Sequence, residues 1–155
     1  MKINFNDLPD VVAIVGSRSF AKADRSVNKA AETLVDSFVS KLRKGTVVVS
    51  GEAIGVDRYA KNAAFKHGLN YQPFEPDVNV PIPNRFFDRN TELVEWVEVN
   101  KGVIVAFTDA NSRRGTADTI RKAERADIPL IEYQFTFPPF KHHKTHAALF
   151  EDYIL

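Results

Sequence analysis

Hydrophobic positions in this chain form short continuous runs that alternate with stretches of helical periodicity. The runs at residues 11–15 (VVAIV), 47–49 (VVV) and 103–107 (VIVAF) contain no polar residue. Such runs are typical of parallel strands that are covered on both faces. Residues 71–74 (YQPF) and 129–133 (PLIEY) predict two further, weaker strands.

The stretches between these runs predict helices. Apolar residues recur at helical spacing over residues 25–43, and a second helix is expected over residues 56–67. Asp88 is a candidate cap for a third helix, and a fourth begins near Thr116. Alternating strands and helices predict a three-layer α/β/α, Rossmann-like domain with a mainly parallel sheet of about five strands. Residues 75–84 contain three prolines and predict an extended surface loop.

Length and composition favour one soluble domain. We expect a single domain over residues 1–155, with a leader at 1–10 and an aromatic tail at 134–155 that favours a homo-oligomer. The net charge of +1 gives no global attraction to nucleic acid or to a membrane. The absence of cysteine, of an apolar signal segment and of a membrane-length run predicts a cytoplasmic protein without membrane partners.

Three loops that follow predicted strands collect the chemistry-bearing residues: 16–20 (GSRSF), 50–57 (SGEAIGVD) and 109–119 (DANSRRGTADT). The carboxyl ends of parallel strands meet at one edge of the sheet, where ligands bind in open α/β folds. Hydroxyl and guanidinium groups beside helix starts suit a phosphate, and they come from Ser17, Arg18, Ser112, Arg113 and Thr116. The spacing matches neither a P-loop nor the usual dinucleotide fingerprint.

Four motifs occur in a recognisable order: VAIVGSRSF, VVVSGEAIGVDRYA, RNTELV, and IVAFTD with SRRGTADTIRKA. The chain thereby resembles the SLOG superfamily of Rossmann-like nucleotide-binding proteins, within it the branch related to YspA and YpsA, and more distantly the Rossmann domain of DprA proteins. The resemblance implies a pocket for a nucleotide or a nucleotide-derived ligand. Together, loops and resemblance predict these ligand-binding residues: Gly16, Ser17, Arg18, Ser50, Gly51, Glu52, Gly55, Asp57, Arg89, Asn90, Ser112, Arg113, Gly115 and Thr116.

The sequence departs from this family at two points. Glu52 stands where a second glycine is common, and the last loop has an extra residue between Ser112 and Gly115. Glu52 either shifts a bound anion toward the first and fourth loops or has a ribose-binding or acid/base role. In the similar cytokinin-activating phosphoribohydrolases, a glutamate stands three positions after the Gly-Thr pair. Here that position is Thr119, so their mechanism is not inherited.

The leading hypothesis is a nucleotide sensor or carrier that requires no further cofactor. The first alternative is a nucleotide-processing hydrolase, cleaving an N-glycosidic bond or a phosphate, with Glu52, Asp57 or Asp109 as the acid/base candidate. The second alternative is DprA-like binding of single-stranded DNA, which the near-neutral charge disfavours. Structural roles also remain open for the glycines, for Arg18 and for Asp57. No metal is expected, although His142, His143 and His146 cluster in the tail.

Overall fold

The structure of the protein is a computed structural model, and it describes residues 3–109 and 114–135. A short 3-10 turn at Phe5–Asp7 precedes the regular elements. The strands are β1 (Val11–Gly16), β2 (Val47–Ser50), β3 (Asn70–Pro73), β4 (Val103–Asp109) and β5 (Leu130–Phe135). The helices are α1 (Ser19–Lys22), α2 (Arg25–Ser40), α3 (Val56–Lys66), α4 (Asn84–Val99) and α5 (Arg114–Arg125).

The strands form one sheet in the order β3-β2-β1-β4-β5, and every pairing is parallel. The chain moves outward from β1 through β2 to β3, then returns to the other side of β1 for β4 and β5. The direction of winding therefore reverses between β1 and β4, which makes their carboxyl ends the topological switch point. The predicted α/β fold with a parallel sheet of five strands is confirmed.

Alternating side chains of β1 show how the three layers are held together. Val12 and Ile14 point into the core formed with α2 and α3. Val11, Ala13 and Val15 point into a second core, formed with α4 and α5. Both faces of the central strand are thus covered by helices, which explains why its sequence is a continuous apolar run.

Helix α4 begins earlier than the sequence indicated. It starts at Asn84 with Pro83 as the preceding residue, so Asp88 lies inside the helix and does not cap it. The amide N–H of Arg85 donates to the carbonyl of Pro81, and that of Phe86 donates to the carbonyl of Pro83. Proline is tolerated at a helix start because its missing N–H would have no intrahelical partner there. The additional turn brings two phenylalanines toward the carboxyl edge of the sheet.

Some sequence expectations fall outside the described residues. These are Ser112 and Arg113 in the last loop, the three tail histidines, and the role of the tail itself. Gly115 lies in the first turn of α5. Residues 19 and 20, expected in the loop after the first strand, begin the short helix α1. None of the helices in the described part of the chain is long and apolar enough to cross a membrane.

Gly16 ends β1 where three elements converge. A Cβ atom at this position would overlap the carbonyl oxygen of Phe107 and would lie 2.6 Å from the side chain of Val56. Those atoms belong to β4 and to the first turn of α3, and neither can move without disturbing a packed element. Glycine at this position is therefore required by packing, independently of any ligand.

We expect Gly16→Ala to lower the free energy of unfolding by roughly 1 to 3 kcal/mol, because the added methyl group overpacks this junction. Gly45→Ala is the comparison, since nothing lies within 4 Å of its Cβ position and its cost comes from the backbone φ of +91°. Urea unfolding of both variants measures the difference. A Gly16→Ala protein as stable as the wild type would contradict the packing role.

Candidate functional site

A cavity of about 690 Å³ opens at the carboxyl edge of the sheet, beside the switch point. Its walls come from the loop after β1, the loop after β2, and the facing sides of α4 and α5. The structure brings together eight of the predicted ligand-binding residues in its lining: Gly16, Ser17, Arg18, Gly51, Asp57, Arg89, Asn90 and Thr116. We call this space the main cavity.

Several lining residues were not predicted from the sequence. Lys22 on α1, Phe86 and Phe87 on α4, and Thr119 on α5 also border the main cavity. Phe86 and Phe87 were missed because the helix was expected to begin at Asp88, after both of them. Lys22 was missed because the short helix α1, which it ends, was not predicted.

Ser50 and Gly55, also predicted as ligand-binding residues, lie outside the lining of the main cavity and hold its loops in place. Ser50 is fully buried, and its Oγ donates to the backbone oxygen of Asp57 at 3.2 Å. Gly55 has a φ of +82°, and a Cβ there would lie 2.6 Å from the backbone oxygen of Ser17. Gly55 therefore lets the start of α3 pack against the loop after β1.

Ser17 ties the two strands at the switch point together. Its backbone N–H donates to the carbonyl of Phe107 at 3.1 Å, and its Oγ accepts from the backbone N–H of Asp109 at 2.9 Å. The Oγ of Ser19 donates to the Asp109 carboxylate at 2.8 Å. Asp109 thus anchors the loop after β1, and it is not among the residues that border the main cavity.

Arg89 is a buried cation with a defined orientation; only 7% of its surface is exposed. Its Nε donates to Asn90 Oδ1 at 2.9 Å, and its Nη1 donates to the carbonyl of Gly51. Asn90 in turn donates to Asp118 Oδ2 at 3.1 Å, and Lys122 donates to the same carboxylate oxygen at 2.7 Å. Residues of α4 and α5 therefore hold the guanidinium against the loop after β2.

Asp57 lies close to this cation beneath Gly51. A Cβ on Gly51 would lie 2.6 Å from Arg89 Nη1 and 3.0 Å from Asp57 Oδ2, so glycine makes room for both groups. Asp57 Oδ2 also accepts from the backbone N–H of Ala53 at 3.2 Å. Burial raises the pKa of Asp57 to about 6, and the charge of Arg89 offsets part of this effect.

Two exposed cations stand at the rim of the main cavity, Arg18 and Lys22. The guanidinium of Arg18 lies over the ring of Phe86, 4.9 Å from its centroid. Among residues 3–109 and 114–135, no carboxylate forms an ion pair with either side chain. Both cations are therefore available to an anionic ligand.

A second cavity of about 320 Å³ adjoins the main one and shares six lining residues with it, among them Arg18, Phe86 and Arg89. Glu52, Ile54 and Pro76 complete its wall. Glu52 Oε1 accepts from Tyr71 at 2.6 Å, and Oε2 accepts from Lys61 at 2.9 Å. Burial alone would raise the pKa of Glu52, but these two hydrogen bonds, together with the charges of Lys61 and Arg58, outweigh it and lower the pKa.

Two solved structures share the fold of this chain. The X-ray structure of TM1055, a structural genomics target, has 20% identity and a TM-score of 0.56, over 77% of this chain and 71% of that one. The X-ray structure of DNA processing protein A (DprA) from Streptococcus pneumoniae has 17% identity and a TM-score of 0.54, over 96% of this chain. At such identities the two structures show a shared fold, and this chain covers 58% of the DprA chain. No curated protein sequence matches the chain.

A protein-family profile gives a more specific assignment. The profile described as DNA recombination-mediator protein A matches residues 2–112, which is well over half of the 155 residues. The matched region contains the loops after β1 and β2 and the whole of α4, which together supply Arg18, Gly51, Asp57 and Arg89. The resemblance to DprA is confirmed, while the branch of YspA and YpsA stays a prediction. The chain belongs to the DNA recombination-mediator protein A family.

Proposed function

We propose that this protein binds a nucleotide or a nucleotide-derived ligand in the main cavity, as a sensor or carrier. The observation that carries the proposal is that three cations border one cavity of about 690 Å³: Arg18 and Lys22 from the two ends of α1, and Arg89 from α4. Cavities of roughly 300 to 1,000 Å³ are typical of small-ligand sites. Three cations around such a volume favour an anionic guest over a neutral one.

The remaining walls suit the other parts of a nucleotide. Thr116 and Thr119 present hydroxyl-bearing side chains from α5. Thr116 lies in the first turn of this helix, where backbone N–H groups lack intrahelical partners. Phe86 supplies an aromatic face at the rim. A phosphate near the cations and the helix start, with a planar group near the ring, would use each of these features.

Binding without turnover is proposed because two of the three acid/base candidates already have structural partners. Glu52 is bonded to Tyr71 and Lys61, and Asp109 is bonded to Ser19. Asp57 has a raised pKa, yet its Oδ2 holds the loop after β2 through Ala53. Incubation with nucleotides followed by chromatography for free base or inorganic phosphate tests this choice, and release of either product would favour the hydrolase.

A second candidate function is the binding of single-stranded DNA, which the family assignment favours. The family profile and the solved relative are named for DNA recombination and DNA processing. The net charge of +1 gives little support to a long phosphate track. If the protein binds single-stranded DNA, the main cavity would hold one nucleotide unit of the strand.

We expect Arg18→Ala and Lys22→Ala each to weaken nucleotide binding about tenfold or more, because each removes a charge-assisted contact to phosphate. Both side chains are exposed, so the melting temperature should change little. Isothermal titration calorimetry with a panel of nucleoside 5′-monophosphates and diphosphates measures the effect. Arg25→Ala and Lys44→Ala are matched controls, since both cations are exposed and lie outside the cavity lining. Equal losses in the controls would refute a specific role for the rim cations.

Asp57 predicts a distinctive dependence of stability on pH. Its pKa in the folded protein is about 6 against an ordinary value of 3.8, so the folded state holds more protons between these limits. The stabilisation from this proton is complete below about pH 4 and is lost as the pH rises through 6, by up to about 1.4 kcal/mol per pH unit. Asp57→Asn should lack this decline, so the stability of the variant relative to wild type should improve from pH 4 to 6. Urea unfolding of both proteins across pH 4 to 7 measures the free energy of unfolding. A difference between variant and wild type that does not change with pH would contradict the prediction.

Salt dependence separates a nucleotide cavity from a DNA groove. With Arg18 and Lys22 as the exposed cations, an oligothymidylate should bind with a slope of log K against log salt no steeper than about −2, since each phosphate contact contributes about −0.7. A mononucleotide should also displace it. Fluorescence anisotropy at several salt concentrations provides both readouts. A much steeper slope, without displacement, would instead indicate a DNA surface elsewhere on the protein.

A further inference from the structure

The second cavity differs in chemistry from the main one that it adjoins. Its wall includes the apolar side chains of Ile54, Pro76 and Phe86. Glu52 places a carboxylate in the same wall, opposite in sign to the shared cations. A ligand that extends from the main cavity would therefore enter a space suited to a flat apolar group that carries hydrogen-bond donors.

Glu52 is held in a backbone conformation that costs energy. Its φ is +64°, in the left-handed region that glycine adopts readily and that disfavours other residues by about 1 kcal/mol. Residues 101 and 127 are the other non-glycine residues with positive φ in the described chain, and both lie in turns at the opposite edge of the sheet. Glu52 is thus the strained residue that borders a cavity.

The Glu52 carboxylate is fixed by neighbours but retains capacity to accept. Each oxygen accepts one hydrogen bond, Oε1 from Tyr71 at 2.6 Å and Oε2 from Lys61 at 2.9 Å. A carboxylate can accept about four hydrogen bonds, so each oxygen has a further lone pair available. The side chain is 16% exposed, and the lowered pKa keeps it ionised at neutral pH. It is consequently a preorganised hydrogen-bond acceptor.

We propose that the second cavity holds the nucleobase of the ligand and that Glu52 selects bases bearing an exocyclic amino group. This inference rests on the proposed nucleotide binding and adds the class of base to it. The phosphate lies by Arg18, Lys22 and Arg89, and the amino group donates to the Glu52 carboxylate. The base ring lies beside Phe86, on the side of the ring that the Arg18 guanidinium does not cover. The charge pattern sets the direction of the ligand, with its anionic end away from Glu52.

The test compares nucleotides that differ by one amino group. The pairs are GMP with IMP, and AMP with purine riboside 5′-monophosphate, measured by calorimetry. In wild type we expect the amino-bearing member of at least one pair to bind about tenfold more tightly, because a hydrogen bond to a charged acceptor is lost in the other. In Glu52→Gly this ratio should fall to near one, and Glu52→Gln, which keeps a neutral acceptor, should give an intermediate ratio.

Glycine is chosen at position 52 because it tolerates the left-handed backbone, so the variant is expected to fold. Asp127→Gly is the matched control: it also removes one carboxylate from a residue with positive φ, far from the cavity, and it should leave the ratio unchanged. Equal affinities within both pairs in wild type, or a ratio unaffected by Glu52→Gly, would overturn the inference while leaving nucleotide binding intact. Dependence on the ribose 2′-hydroxyl alone, measured with dGMP and dAMP, would overturn it in favour of a ribose contact. Absence of binding by any nucleotide would overturn the proposed function itself, and this inference with it.

Discussion

Burial of the Arg89 guanidinium is the constraint on which the rest of the site depends. A charged group removed from water is costly unless hydrogen-bond acceptors and opposite charge surround it. Here the acceptors come from the loop after β2 and from the neighbouring Asn90, which is itself held by Asp118 on α5. Satisfying one cation therefore fixes the relative positions of three elements, and these elements form the walls of the main cavity.

The small residues of the site follow from the same constraint. Gly51 carries the carbonyl that accepts from Arg89, and any side chain at this position would collide with the guanidinium and with Asp57. Gly16 lets the end of β1 pack closely against β4 and α3, and Gly55 lets the start of α3 pack against the loop after β1. Convergence of glycine-bearing loops is thus a packing solution that keeps a polar, buried network close to the ends of the strands. The main cavity is the space left beside that network.

Much of the architecture could be predicted from the sequence because a continuous apolar run has few alternatives to a buried parallel strand. The order of strands then placed Ser17, Arg18 and Thr116 on one edge, as the structure shows. Phe86 could not be predicted, because prolines at 81 and 83 favour a loop unless the helix start is known. The structural roles of Ser17 and Glu52 depend on partners 92 and 19 residues away, and local patterns carry no information about such pairs.

Glu52 adds its carboxylate to the wall of the second cavity and not to that of the main cavity, although the two cavities adjoin. The neighbouring Gly51 presents its carbonyl to Arg89. The left-handed backbone at Glu52 directs the Glu52 side chain toward Tyr71 and Lys61. A residue with ordinary φ would alter the course of the chain here and with it the separation of these two polar groups. The strain at this position therefore accompanies a wall in which the cations lie toward β1 and α4, while the Glu52 carboxylate, paired with Lys61, lies toward β3. A phosphate joined to a donor-bearing ring would match both parts of this wall, the cations through its charge and the carboxylate through hydrogen bonds.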